Sequence, residues 1–145
     1  MTEEAQSASE AETEAVGAAL AVRLDAGDIV LLNGELGAGK TAFVRGMARG
    51  LGAADEAVSS PTFTLLQEYA GRLTLYHADL YRLAPAEIAD LGLLDLSAEG
   101  ILAVEWPERW PNAPSAVVTV TIRKTGEDAR VITISGLADG QRPGA

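Results

Sequence analysis

The chain has 145 residues, a length that suits one domain with a substantial core and excludes a tandem architecture. It contains no cysteine, which excludes a disulfide scaffold and a thiolate metal site, and its 11 Lys and Arg stand against 21 Asp and Glu for a formal net charge of −10. A protein that grips RNA or DNA directly shows a clustered basic face, so any nucleic-acid role is expected to be indirect, through a partner.

Hydrophobic residues make up 48%, yet no uninterrupted apolar run approaches the roughly 20 residues that cross a bilayer, so no membrane role is expected. The first residues, MTEEAQSASEAETEA, lack the basic start and apolar centre of a signal peptide, and a cytoplasmic protein is the simplest expectation. Residues 1–9 read as a flexible acidic tail, 10–136 as the folded domain and 137–145 as a second loose tail.

In chain order, Glu12 to Leu24 carries Val16, Ala19, Leu20 and Leu24 at helical spacing, with Ser9 or Thr13 as the cap. The apolar run from Asp28 to Gly34 has strand length, and Thr41 to Leu51 places Phe43, Val44, Met47 and Leu51 on one helical face. Between them lies GELGAGKT, with Gly34, Gly39, Lys40 and Thr41 at the spacing of a phosphate-binding loop. Such a loop curls backbone N–H groups around phosphates and offers them a helix N-terminus. Lys40 is expected to reach the outer phosphates and the Thr41 hydroxyl to face Mg2+.

After a small-residue loop, Thr62 to Tyr69 and Leu73 to Asp79 predict two strands hairpinned through Ala70 and Gly71. A helix follows from Pro85, Ile101 to Glu105 reads as a buried strand, and two β-rich segments, 115–123 and 129–135, close the chain around the turn KTGED.

A phosphate-binding loop needs an acidic residue at the end of a neighbouring strand, together with a group that orients the attacking water. Glu105 ends the apolar run Ile101 to Val104, and Asp79 ends the alternating strand from Leu73. Ser59, Ser60, Pro61 and Thr62 fall where nucleotide switches place a hydroxyl. The sole histidine, His77, reads as a hydrogen-bonded structural residue, with a catalytic role as the alternative; Trp106 and Trp110 flank a loop where rings stack on a base, anchor a partner or pack in the core, and Arg123 and Arg130 look isolated. A small-molecule kinase is disfavoured by the lack of an Arg-rich lid, and a GTPase switch by the lack of an Asn-Lys-x-Asp motif.

Taken together, GELGAGKT, SSPTFTL from Ser59, YHADLYRL from Tyr76 and VEWPER from Val104 resemble the TsaE family of tRNA threonylcarbamoyladenosine biosynthesis proteins, in family order and over nearly the whole chain. The resemblance implies an α/β fold, a three-layer P-loop NTPase-like domain with a mixed central sheet. It also implies an ATPase that uses ATP and Mg2+ in making N6-threonylcarbamoyladenosine in tRNAs reading codons that begin with A. Its partners would be a TsaD-like transferase and a TsaB-like paralogue, with tRNA met only through that complex. Carried onto this chain, the resemblance gives Gly37, Ala38, Gly39, Lys40, Thr41 and Ala42 to the triphosphate, and Thr41 with Glu105 to Mg2+. Asp79 would serve hydrolysis, through metal-bound water or the nucleophile. Trp106 and Glu108 would lie near the nucleotide or the partner, and Glu10 or its neighbours before the first helix, with the segment around Glu127, near the adenine.

Overall fold

The computed structural model describes residues 2–35, 37–53 and 66–137. Its seven strands are β1 (Thr2–Ser7), β2 (Ile29–Asn33), β3 (Leu66–Tyr69), β4 (Leu75–Asp79), β5 (Ile101–Glu105), β6 (Val118–Lys124) and β7 (Arg130–Ser135). The α-helices are α1 (Glu10–Ala21), α2 (Lys40–Gly50), α3 (Pro85–Asp90) and α4 (Leu93–Glu99), and a 3-10 turn spans Pro107–Arg109.

All seven strands join one sheet in the order β1-β7-β6-β2-β5-β4-β3. The four inner strands β6, β2, β5 and β4 run parallel, while β7 and β3 pair antiparallel at their flanks and β1 pairs antiparallel with β7. The mixed sheet and its helices on both faces are the three-layer arrangement that the family resemblance implies. Strand β5 is buried at every position, as expected of a parallel strand covered on both sides.

On one face Leu20, Phe43, Val44 and Met47 of α1 and α2 pack over Val30, Leu32, Ile101, Ala103, Val120 and Ile132. On the other, Ile88 and Leu93 of α3 and α4 pack over Ile29, Tyr76, Ala78, Leu102 and Val104. Helices α1 and α2 approach closely because glycines line their seam: a Cβ built at Gly46 would lie 1.9 Å from the Glu14 carbonyl oxygen, and one at Gly17 2.2 Å from that of Phe43. Ser9 caps α1 by accepting from the Glu12 N–H at 3.1 Å, so the helix begins two residues earlier than its apolar pattern suggests.

The acidic N-terminal segment is not a free tail. Thr2–Ser7 forms the edge strand β1, in register from Thr2 against Ser135 to Ser7 against Arg130. Glu3 accepts two bonds from Arg23, Nη1 to Oε1 at 2.8 Å and Nη2 to Oε2 at 2.7 Å, and this bidentate pair ties the strand to α1's C-terminal end. Thr2–Ser7 and buried Leu137 are therefore part of the folded domain. Residues Ser59 to Thr62, read as a switch, and residues 138–145 lie outside the described residues.

Candidate functional site

Three parallel strands end side by side. Leu32, at the last position of β2 paired with β5, sits opposite Glu105, and Glu105 sits opposite Asp79 of β4. The glycine-rich loop leaves β2 at the same edge, where ligand crevices form in parallel α/β sheets. Gly37 and Gly39 adopt positive φ of 81° and 112°, so the loop reverses sharply into α2, a course that a residue with a Cβ resists. No acidic residue occupies the first turn of α2, which leaves its N-terminal N–H groups and macrodipole open to an anion.

A cleft of about 280 Å³ is lined by Glu10, Gly37, Gly39, Lys40, Thr41, Ala42, Arg45, Asp79, Tyr81, Glu105 and Trp106. The fold thus brings together most of the residues that the sequence singled out. Ala38 is not in the lining: its N–H donates to the Glu35 carbonyl at 3.0 Å, and its own carbonyl accepts from Arg130 Nε at 2.8 Å. Glu108 sits on the exposed 3-10 turn next to the cleft rather than in it, and Glu127 lies in the β6–β7 turn, where its carbonyl accepts from Arg130 Nη1 at 3.2 Å.

Lys40 is buried and donates to the Gly34 carbonyl at 2.7 Å, with its ammonium 3.9 Å from the centroid of the Trp106 ring. Burial pulls its pKa below the ordinary lysine value, and the carboxylates of Glu105, Asp79 and Glu108 act in the opposite direction. Trp106 follows Glu105 with left-handed backbone, φ 59°, an uncommon state for an aromatic residue that turns the chain sharply out of β5. Its ring meets that of Tyr81 with centroids 4.7 Å apart, and the Arg109 guanidinium sits 5.8 Å from the Tyr81 ring centroid. Trp110 packs partly buried against the core on the α3–α4 face.

Asp79 Oδ1 accepts from the Tyr81 N–H at 3.0 Å, and Glu105 Oε2 pairs with His77 Nε2 at 2.6 Å. Thr41 and Glu105 share the cleft with Asp79, a set of hard oxygen donors. Among the described residues no cluster of three or more His, Cys, Asp and Glu forms a metal cage. Two or three protein oxygens without a cage suit Mg2+, which keeps several waters and takes its remaining ligands from phosphate; the donor set fits that ion.

Sequence reasoning missed three contributors. Arg130 is not isolated, but its partner Ala38 lies 92 residues away, so no local signal could reveal it. Arg45 lines the cleft and pairs with Glu10 at 3.3 Å and Glu14 at 3.4 Å, and Glu14 also pairs with Arg49. Helical spacing places Arg45 and Arg49 four apart on α2, but only the seam with α1 supplies the carboxylates. Tyr81 escaped because its role depends on where Trp106 folds.

Among the described residues no helix is long and apolar enough to cross a membrane. A family model described as "Threonylcarbamoyl adenosine biosynthesis protein TsaE" matches residues 7–132. The chain is 44% identical to the tRNA threonylcarbamoyladenosine biosynthesis protein TsaE of a Nostoc species, over 83% of this chain and 77% of that protein. It is 40% identical to the protein of the same name from Bacillus subtilis, over 88% of this chain and 82% of the relative. The crystal structure of Bacillus subtilis YdiB superposes with a TM-score of 0.73 at 34% identity, covering 92% of this chain and 84% of that one. With a family model spanning most of its length and relatives above 30% identity, the chain belongs to the TsaE family of threonylcarbamoyladenosine biosynthesis proteins.

Proposed function

We propose that this protein binds and hydrolyses ATP, with Mg2+, as a component required for N6-threonylcarbamoyladenosine formation in tRNAs that read codons beginning with A. It acts on a complex of a TsaD-like transferase and a TsaB-like paralogue and does not transfer the group itself. The observation that carries the reading is the meeting of Lys40 and Thr41, at the start of α2, with Asp79 and Glu105, at the ends of β4 and β5, in one cleft.

In this reading the triphosphate lies against the loop from Gly37 to Ala42, with Lys40 leaving the Gly34 carbonyl to neutralise the outer phosphates. Thr41 and Glu105 would hold Mg2+, which when bound would supply positive charge to offset that of the phosphate oxygens. Asp79, held by the Tyr81 N–H, orients the water that attacks the γ-phosphorus as the bond to the β-phosphate oxygen breaks and ADP leaves. Glu10 borders the cleft from α1 and suits contact with the nucleotide's outer side. The net charge of −10 favours meeting tRNA through the partner complex.

The test is a pair of isosteric changes. Glu105→Gln should weaken Mg2+-dependent ATP binding, and Asp79→Asn should leave binding near wild type while turnover falls by about 10² or more. Wild-type turnover in both variants would remove these roles.

A further inference from the structure

We infer that His77 is a positioning residue that holds the Glu105 carboxylate in its working orientation through an Nε2–H bond. The inference rests on the reading of Glu105 as the metal-facing carboxylate and adds a residue to it.

Residues His77 and Asp79 of β4 alternate onto the same face as Ala103 and Glu105 of β5. Asp79 is the lateral neighbour of Glu105, and His77 lies diagonally behind it. Two carboxylates abreast on parallel strands repel. Each is anchored on a different donor, Glu105 on His77 at 2.6 Å and Asp79 on the Tyr81 backbone at 3.0 Å. One oxygen of each, Glu105 Oε1 and Asp79 Oδ2, has no hydrogen bond among the described residues and is available to the cleft.

The bond fixes the tautomer. A carboxylate only accepts, so Nε2 carries the hydrogen. His77 is 2% exposed, and its Nδ1 is buried with no partner, which suits a bare lone pair far better than a second N–H. A histidine kept for packing alone would be satisfied at both nitrogens or replaced by an apolar side chain. His77 instead leaves one nitrogen orphaned and spends the other on Glu105, which is itself 4% exposed. Partners behind a metal ligand of this kind typically matter by about 10- to 100-fold in metal affinity.

The test uses full-length protein with a non-hydrolysable ATP analogue and Mn2+ as the probe, read by electron paramagnetic resonance. His77→Leu should weaken Mn2+ binding by about 10- to 100-fold while metal-free affinity for the analogue stays unchanged. His77→Gln, which returns an amide donor near the same place, should restore most of the loss. If Glu105→Gln leaves Mn2+ affinity unchanged, the reading of Glu105 itself falls. If Glu105→Gln weakens it and a folded His77→Leu does not, only the inference about His77 is overturned. Should His77→Leu melt below assay temperature, 15N spectra of the metal-free wild type decide: the sole histidine must show a protonated Nε2 and a bare Nδ1, and an Nδ1–H tautomer would overturn the inference.

Discussion

Replacing Gly46 by alanine isolates the seam that places α1 beside the phosphate loop. In an exposed helix interior this change stabilises by about 1 kcal/mol, because alanine is the better helix former. Here the new methyl would sit 1.9 Å from the Glu14 carbonyl oxygen and 2.6 Å from its carbonyl carbon. An unstrained carbon–oxygen contact needs roughly 3.2 Å, so the two helices must part by about 1 Å, because a Cβ meeting a backbone carbonyl has no rotamer by which to turn away. Overpacking of this kind costs about 1–3 kcal/mol, and loosened contacts around Phe43, Val44 and Met47 add to it, which gives a net loss near 2 kcal/mol after the propensity gain. For a chain of this size the midpoint of thermal unfolding should fall by about 5–8 °C. The seam predicts an order as well: Gly46→Ala should cost more than Gly50→Ala, whose clearance is 2.5 Å to the Ala18 carbonyl oxygen. Thermal melts followed by circular dichroism measure both. A Gly46→Ala protein as stable as wild type or more so would refute the argument, because propensity would then have outweighed the contact.

On the proposed function, Lys40→Ala should abolish productive ATP binding or hydrolysis with the fold intact, since it removes from the start of α2 the ammonium proposed to neutralise the outer phosphates; circular dichroism and nucleotide titration check both halves. Arg130→Ala should lower nucleotide affinity, because the Ala38 carbonyl loses its 2.8 Å donor and the loop loses its tie to the β6–β7 turn; a loss of about 1–2 kcal/mol, or roughly 5- to 30-fold, is expected by calorimetry. The Glu3 carboxyl is held below its ordinary value, first by its hydrogen bond from Arg23. Its contribution to stability is therefore present above the unfolded-state pKa and lost as pH falls through the folded one, so the small gap in melting temperature between wild type and Glu3→Gln should close as pH drops below about 4.5.

The sequence carried the phosphate loop and the order of the central elements because both are local: glycine spacing, an apolar run before it and a helical face after it. Glu105 and Asp79 were legible for the same reason, each closing a patterned strand. Strand β1 was not, since an edge strand needs only backbone pairing and TEEAQS shows no apolar alternation to announce it. The link from His77 to Glu105 depends on strand register, with His77 beside Ala103, and no single-strand pattern contains that. The left-handed turn at Trp106 and the Gly46 seam likewise come from tertiary packing overriding local preference.

The most direct test of the proposed function is the ATPase rate of the isolated chain, measured with and without a TsaB–TsaD-type complex at physiological salt and alongside tRNA binding by the chain alone. Hydrolysis should be slow in isolation, because Arg45 is engaged by Glu10 and Glu14 and no other arginine lines the described part of the cleft. A missing arginine finger can be worth about 10³ to 10⁵ in rate. The complex should accelerate turnover, and Asp79→Asn should abolish that acceleration. An unchanged rate together with tight direct binding of tRNA would contradict the account.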